Sequence, residues 1–368
     1  MRLYRMELYK LLSRKIFGIG AVCMVLFTAL GFWLSNVDME TAMVDGKLYS
    51  GYEAVQINRQ ITEPYKGTLS DEKVMEIVGQ YGLPSEVVYD LPGWRDGNYL
   101  NIFVTDYLSD GYLRDWNNYQ APTRVYPIAD TALGELQRVT GREIRLAYTQ
   151  GWKALLDTLQ TGMVLASILV IVSVSTLFAQ ESQTKMLPLL FTAQDGKEKD
   201  MRAKIGAAFT LTILVYCVAA LLCLAMSLLV YGLDGGELAL NMVWMGEASV
   251  RNRVSCMPVM SFAGIMLGTD FAAMLLLCAI TLCVSAHSRS NFGAVTAAAV
   301  LWGMPLFIGM LFGGIGYFLA SCMPLFLIMS ATIYDVFSFG WETVLVYPVT
   351  ALTLICVVEG WQAYRRQT

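Results

Sequence analysis

The sequence predicts an all-α polytopic membrane protein with six transmembrane helices, an N-terminal interfacial helix and a mainly α extracytoplasmic domain between spans 1 and 2. Hydrophobic residues make up 56% of the chain, which is too apolar for an ordinary soluble domain. Six apolar stretches approach the ~20 residues that a spanning helix needs. Basic residues are concentrated in the N-terminal tail and in one later loop, as in the cytoplasmic segments of membrane proteins.

The predicted spans follow one another with a single long interruption. They are Ile16–Ser35, Gly162–Phe178, Ile205–Tyr231, Gly268–Ala286, Phe292–Phe312 and Thr343–Gly360. A seventh apolar run, Gly313–Ile333, contains several glycines and Pro324, so we interpret it as interfacial or re-entrant. The chain is thereby divided into residues 1–15 (interfacial helix), 16–36 (span 1), 37–150 (outer domain) and 151–368 (spans 2–6).

Residues 1–15 have the pattern of an amphipathic helix that lies in the headgroup plane. The predicted apolar face consists of Tyr4, Leu8, Leu11 and Leu12. The predicted polar face consists of Arg2, Glu7, Lys10 and Arg14. A plain basic flank that only orients the first span is the alternative.

Charge distribution predicts the orientation. The N-terminal tail and the loop 180–204 each carry five Lys or Arg residues, and the C-terminal tail carries Arg365 and Arg366. Lys and Arg near span ends resist translocation, so both termini are expected in the cytoplasm. Residues 37–150 are expected outside, because long domains are translocated largely regardless of charge.

The outer domain is expected to contain helices over Ser70–Gly82, Tyr99–Leu108 and Thr131–Val139. In the first of these Ser70 can cap the start, and Gly82 followed by Pro84 ends it. Residues 37–150 contain no cysteine, so an apolar core must hold them together. The segment 232–258 is expected to pack either on this domain or on the membrane surface.

Cys256 and Cys322 are both expected on the outer side, which leaves a disulfide between them open. The other six cysteines fall in predicted spans, where a small packing role is the simplest interpretation.

The chain lacks the motifs of common catalytic sites. It contains no HExxH, no GxSxG and no paired CxxC, and Gly196-Lys197 is followed by Glu198 rather than Ser or Thr. The only histidine, His287, falls in a predicted turn. We therefore expect no catalytic residue, metal, cofactor or nucleic-acid partner. Asp270 and Glu359 are interpreted as acids near span ends, with no acid close to the midplane.

The loop 180–204 contains an apolar patch rimmed by charge, which usually marks a partner site. The patch is Met186, Leu187, Leu189, Leu190 and Phe191. It is too short to cross a bilayer. Burial against the protein's own spans is the alternative for these side chains.

Four stretches resemble one family. They are ELYKLLSRK (Glu7–Lys15), KGTLSDEK (Lys66–Lys73), AYTQGWKALL (Ala147–Leu156) and FAQESQTKMLPLLFTAQDGKEKDMRAKI (Phe178–Ile205). They are similar to stretches of the permease subunits of ABC-2-type transporters, in the bacterial subgroup with a large outer domain after the first span. One departure is Gln183-Thr184 followed by Pro188, where the family often has Gly-Thr.

The resemblance implies a multi-pass permease of the bacterial plasma membrane that exports a hydrophobic, lipid or peptide substrate. A separate ABC ATP-binding subunit would hydrolyse the ATP, so the chain itself is not an enzyme. A second copy or a related permease would complete the pair in the lipid bilayer. The loop would dock on the ATPase as a coupling helix. The implied apolar contacts are Met186, Leu187, Leu190 and Phe191, and the implied charged contacts are Glu181, Lys185 and Lys197.

A second hypothesis belongs to another functional class. The chain could be a non-transporting membrane subunit that relays ATPase motion to its outer domain for sensing or signalling. Both hypotheses use the same loop, and they differ in whether a substrate path runs among the spans.

Overall fold

The computed structural model describes residues 2–84, 97–111, 120–184, 198–245 and 252–366. It confirms an all-α fold with six helices long and apolar enough to span a membrane. These candidate spans are Lys15–Val37, Gln150–Gln183, Lys199–Val230, Val259–His287, Asn291–Leu311 and Leu345–Arg366. Each contains most of one apolar stretch that the sequence predicts.

The helices are numbered here in chain order along the described residues. They are α1 Arg2–Leu12, α2 Lys15–Phe32, α3 Gly51–Thr62, α4 Asp71–Tyr81, α5 Tyr99–Leu108, α6 Ala132–Thr140, α7 Gln150–Val174, α8 Thr176–Gln183, α9 Lys199–Val230, α10 Val259–His287, α11 Asn291–Leu311, α12 Gly313–Ser321, α13 Pro324–Leu327, α14 Ser330–Ser338 and α15 Glu342–Arg366.

The chain forms two compact units. The helical unit comprises Met1–Thr28, Leu159–Cys223 and Ile265–Thr368, and the inserted unit comprises Ala29–Thr158 and Leu224–Gly264. The inserted unit therefore combines the predicted outer domain with the second long connection, 232–258.

The inserted unit contains short strands that the sequence did not reveal. Strand β1 (Thr41–Val44) pairs antiparallel with β2 (Lys47–Ser50), and β3 (Gly67–Thr68) pairs antiparallel with β4 (Arg145–Leu146). Asp45 and Gly46 join β1 to β2 with φ of 52° and 74°. Two successive residues with positive φ suit the right-handed twist of a tight hairpin. Strands of two to four residues are too short to show an alternating pattern.

Helices α4, α5 and α6 form where the sequence predicts them, and their ends explain why. The Ser70 hydroxyl accepts a hydrogen bond from the Lys73 amide at the start of α4. Asn98 begins α5 with a reciprocal capping box to Asn101. Helix α6 ends at Gly141, whose φ of 64° is left-handed. These helices enclose a core centred on Ile77, Leu100, Val104, Leu108, Leu133 and Leu146.

The described parts of the connection, 232–245 and 252–258, pack on the predicted outer domain, one of the two positions expected for this segment. The Tyr107 hydroxyl donates to the Met242 carbonyl at 2.5 Å, and Met242 belongs to the same core. Lys66 pairs with Asp234 at 2.6 Å between Nζ and Oδ1. Core contacts and ion pairs thus join two distant parts of the sequence into one unit.

The cysteines are free thiols in this structure. Cys256 is half-buried in the inserted unit and Cys322 is buried in the helical unit. The disulfide that the sequence left open is therefore not formed here, and apolar packing holds the inserted unit's core.

A buried carboxyl group organises the first part of the inserted unit. Glu40 Oε1 accepts from the Tyr148 hydroxyl at 2.8 Å and from Asn58 Nδ2 at 3.0 Å. Asn58 Oδ1 in turn accepts from the Tyr99 amide at 3.0 Å. Burial raises the pKa of the Glu40 carboxyl, and the hydrogen bonds from Tyr148 and Asn58 offset part of that rise.

In the helical unit, the apolar run 313–333 is broken into α12, α13 and α14. Gly313 has a φ of 58°, and Pro324 lies in the first turn of α13. Helix α12 folds back closely on α11, since a Cβ on Gly316 would lie 2.5 Å from the Ile308 carbonyl oxygen. Glycine is required at this approach. That the run re-enters a membrane stays a prediction.

The core of the inserted unit is testable with two positions of α4. Ile77 is completely buried, whereas Met75 is 62% exposed. Ile77→Ala should lower the free energy of unfolding by about 2–5 kcal/mol, because it removes buried methyl groups and leaves a cavity. Met75→Ala is the matched control and should change it by less than about 0.5 kcal/mol. Tryptophan fluorescence during chemical unfolding of the full chain measures both, and equal effects would contradict this core.

Glu40 should make stability depend on pH. Because its pKa is raised in the folded state, the folded protein binds this proton more tightly than the unfolded chain. Its contribution is therefore greatest below the unfolded value of about 4.3 and is lost as the pH rises through the folded pKa. Glu40→Gln should remove this part of the pH dependence of the melting temperature. The exposed Glu53→Gln should leave it unchanged, and identical profiles for Glu40→Gln and the parent would contradict the prediction.

Candidate functional site

The candidate site surrounds α8, the last described helix before the segment 185–197. Helix α7 ends at Val174 and α8 starts a new helix at Thr176. The first amides of a helix have no partner within it. Here the Ser285 hydroxyl of α10 accepts from the amides of Phe178 and Ala179 at 3.0 and 3.2 Å. Its side chain thus anchors the start of α8 to α10.

A buried ammonium group lies at the centre of the site. Lys204 Nζ is 2.6 Å from Asp200 Oδ2, 2.9 Å from Glu181 Oε1 and 3.5 Å from Glu7 Oε1. The Lys204 side chain is only 1% exposed. Its three partners come from α9, α8 and α1. We call Glu7, Glu181, Asp200, Lys204 and Tyr364 the Lys204 cluster.

Tyr364 brings the C-terminal helix α15 into the cluster. Its hydroxyl donates to Glu181 Oε2 at 2.7 Å, so both oxygens of this carboxylate have partners. The Tyr364 ring is completely buried and packs against Phe178 with ring centroids 4.6 Å apart. Two residues of α8 therefore hold one residue of α15.

Helix α1 is fixed to α9 by its side chains. The hydroxyl groups of Tyr4 and Thr210 are 2.8 Å apart and hydrogen-bonded. A Cβ on Gly206 would lie 3.5 Å from the Tyr4 ring, so the ring rests on a helix surface without a side chain. Together with Glu7, these contacts place α1 against protein rather than apart from it.

The charges in and around the cluster are balanced. The acids Glu7, Glu181 and Asp200 face Lys204, while Lys10 lies 3.6 Å from Glu7 at the margin. Arg14 is also within electrostatic range of Glu7. Buried ions are stable only when they are paired and hydrogen-bonded. The carboxylates are thus committed to cations of the chain, and within the described ranges no group of side chains could hold a metal ion.

Further contacts hold α8 along its length. Arg14 donates to Gln180 Oε1 at 2.6 Å and also to the Thr176 hydroxyl. At the other end Gln183 Oε1 accepts from the Asn291 amide at 3.1 Å, at the start of α11. Helix α8 is therefore connected to α9, α10, α11 and α15, directly beside the segment 185–197.

Of the residues predicted to contact an ATPase, only Glu181 lies within the described part of the chain. Glu181 lies in α8, where it is 8% exposed and bound to Lys204 and Tyr364. Both oxygens of this carboxylate are occupied inside the protein, which favours a positioning role, and the direct contact with an ATPase that the resemblance implies stays a prediction. The other predicted contacts lie outside the described residues: Lys185, Met186, Leu187, Leu190, Phe191 and Lys197.

The predicted face of α1 packs mainly on protein. Leu11 is completely buried, Tyr4 and Leu8 are half-buried, and Leu12 is 36% exposed. Glu7, expected on the polar face, lies on the same side as Leu11 because it pairs with Lys204. An apolar face that finds a neighbouring helix is removed from water there, so it is not left for lipid.

Sequence reasoning missed most of the cluster. It treated Lys204 as one of five exposed loop charges, and it gave no role to Asp200 or Tyr364. Asp200 and Lys204 have the i,i+4 spacing of a helical ion pair, and this signal could have placed Lys204 on a helix. The participation of Tyr364, 160 positions later, has no local signal.

Asp270 also differs from its expected position. The structure extends α10 back to Val259, so Asp270 lies three residues from the middle of a 29-residue helix. It is completely buried. Asp270 is therefore inside the helix rather than at its start, because the sequence placed the start of this helix too late. That it lies near the end of the membrane span stays a prediction.

A scan against protein-family models and searches of curated proteins and solved structures find no match to this chain. The resemblance to ABC-2-type permeases thus rests on the four sequence stretches alone.

The Lys204 cluster makes a clear prediction about stability. Lys204→Met should lower the free energy of unfolding by about 3–5 kcal/mol, because it leaves buried carboxylates without their cation. Arg202→Met is the matched control on α9. Arg202 is exposed, pairs with Glu198 at 3.7 Å and lies over the Trp361 ring, so its loss should cost no more than about 1 kcal/mol.

The measurement is the chemical unfolding of the full chain in detergent, monitored by tryptophan fluorescence. Similar losses in Lys204→Met and Arg202→Met would contradict a buried, paired Lys204.

Proposed function

We propose that this chain is the membrane-spanning permease subunit of an ATP-driven transporter of the ABC-2 type. The observation that carries the proposal is the Lys204 cluster. It ties Glu181, before the segment 185–197, to Asp200 and Lys204, after it. The two ends of a segment proposed to receive force are thereby bound to one another. Six apolar helices supply the membrane-spanning part.

The proposed docking site is the segment 185–197. Its apolar residues Met186, Leu187, Leu190 and Phe191 would enter a groove of a separate ATP-binding subunit, with Lys185 and Lys197 as charged contacts. A displacement of this segment would move α8 and α9 together, because separating Glu181 from Lys204 exposes unpaired charges in a buried site. Glu7 and Tyr364 would pass the motion to α1 and α15.

Glu181 has a positioning role in this proposal. Its two oxygens join Lys204 of α9 to Tyr364 of α15, so it sets the angle at which α8 enters the segment 185–197. It does not contact the ATPase.

We still place helix α1 in the plane of the lipid headgroups, but the face that contacts lipid in this proposal differs from the predicted apolar face. Leu3, Met6 and Tyr9 are exposed on the side away from Leu11, and Tyr9 is 73% exposed. Arg5, which is exposed, and Lys10 flank them. Apolar side chains interleaved with basic ones are typical of helices at an anionic lipid surface. We propose that α1 contacts protein with one face and lipid with the other.

The proposed setting is the bacterial plasma membrane, with both termini in the cytoplasm. Phe292, Phe307, Met310 and Leu311 of α11 are largely exposed, as are several residues of α12. Exposed large apolar side chains on a candidate span suit either lipid or a second permease. The transporter would then be a homodimer or a pair with a related permease. The proposed cargo is a hydrophobic, lipid or peptide substrate.

The relay hypothesis is also supported by one observation. Each of the two hydrophobic clusters of the inserted unit contains residues of both of its chain segments, so the unit could respond to motion as one body. ATP-dependent accumulation of a fluorescent lipid or peptide in inverted vesicles would favour export. Coupled ATP hydrolysis without any such accumulation would favour the relay.

The proposal is tested by co-expressing the full chain with the ATP-binding subunit that is expected to be encoded beside its gene. The parent should co-purify with that subunit and stimulate its ATP hydrolysis. A Leu190→Asp, Phe191→Asp double variant should lose the complex, because charge cannot enter an apolar groove. Tyr364→Phe should keep the complex and lose at least half of the stimulation, since it disconnects α15 from Glu181.

Arg202→Met is the control and should behave as the parent. Absence of a complex with the parent chain, or normal binding by the double variant, would overturn the proposal. Unchanged stimulation by Tyr364→Phe would remove the Lys204 cluster from the coupling path.

A further inference from the structure

Asp270 is a buried acid without a partner near the middle of a candidate span. Eleven residues of α10 precede it and seventeen follow it. Its exposure is 0%, and neither carboxyl oxygen has a hydrogen-bond partner in the part of the chain that the structure describes. Among the described residues no charged group compensates for its burial. Intramembrane acids are rare and usually functional, so this side chain needs an explanation.

The surroundings of Asp270 offer no cation. Tyr216 and Cys223 of α9 lie within electrostatic range of its carboxyl group. The Tyr216 hydroxyl is engaged, because it donates to the Leu267 carbonyl at 2.8 Å. Thr28 of α2 and Gly162 of α7 lie beside Cys223, and neither carries a charge. No Lys, Arg or His of the described chain contributes to the electrostatic surroundings of Asp270.

We propose that Asp270 is a proton-binding site of the helical unit and that it carries a proton in this conformation. An ionised carboxylate without a partner is strongly disfavoured in a buried site, whereas the neutral acid loses only hydrogen bonds to water. Protonation forms one O–H bond on the carboxyl group with a proton taken from water. Release returns that proton to water and leaves the carboxylate.

An alkali cation fits the site less well. Such ions in membrane proteins are commonly held by the free carbonyls of unwound helices. Helix α10 is continuous from Val259 to His287, so its carbonyls near Asp270 stay within the helix. The carboxyl group alone would have to replace the ion's hydration shell. A proton needs no such shell.

Proton binding would be linked to the movement of the helices. This step rests on the proposed function, which requires the helical unit to change conformation. Asp270 would be protonated while buried and would ionise when rearrangement brings water to it. Asp270 would thus give the helical unit a buried acid inside a candidate span, eleven residues after the start of α10.

The test uses the full chain alone in lipid nanodiscs, without an ATP-binding subunit. Infrared spectra with carboxyl-labelled aspartate should show a protonated aspartic acid at neutral pH. Asp270→Asn should lose this band. Asp38→Asn, which changes an exposed aspartate outside the candidate spans, should keep it. Because no ATPase is present, failure here is distinct from failure of the coupling proposal.

A second measurement follows the melting temperature against pH. The parent should lose stability relative to Asp270→Asn as the pH rises, because only the parent must bury a carboxylate. Sodium that raises the melting temperature of the parent but not of the variant would show an alkali cation and overturn the proton assignment. If Asp270→Asn does not fold, the infrared spectrum of the labelled parent is the test. Absence of a protonated aspartic acid from that spectrum at neutral pH overturns the proposal.

Discussion

The structure of the helical unit depends on one buried ammonium group. Lys204 is surrounded by carboxylates from three helices, and it cannot be exposed or left alone without a large cost in free energy. Glu7, Glu181 and Asp200 must therefore stay close to it. The Tyr364 hydroxyl donates a hydrogen bond to the second oxygen of Glu181. Packing between apolar helices allows many small shifts. A charge cluster with short, directional contacts allows few such shifts. It therefore fixes the relative positions of α1, α8, α9 and α15 where they contact one another.

This constraint acts on both sides of the segment 185–197. Helix α8 is separate from α7, and its first amides are bound by Ser285 instead of by a preceding turn. In the proposed function, this helix, which is interrupted on one side and ion-paired on the other, would tilt as a unit while it stays connected to its neighbours. The arrangement suits a junction that passes on displacement. It also gives Glu181, which in sequence resembles a residue that contacts the ATPase, two partners inside the protein, Lys204 and Tyr364.

The spans and the helices of the inserted unit were predictable from sequence, because long apolar stretches and residues such as Ser70 and Gly82 are local signals. Contacts between distant residues were not. Met242 joins the core of the inserted unit, and Tyr364 reaches Glu181, through folding that no short pattern encodes. The position of Asp270 was missed for a different reason. The mainly apolar residues 259–267 are followed by Gly268, Thr269 and Asp270, and the predicted span started at this polar interruption, nine residues after the helix does.

Lys204 and Glu181 stabilise the protein through the buried ion pair that they form with each other. A double-mutant cycle with Lys204→Met, Glu181→Gln and the combined variant measures this directly, as free energies of unfolding of the full chain in detergent. Residues that share one buried ion pair should be coupled by about 1–3 kcal/mol, with the double variant less destabilised than the sum of the single variants. Additive effects within about 0.3–0.5 kcal/mol would show that the two residues act independently and would contradict the account.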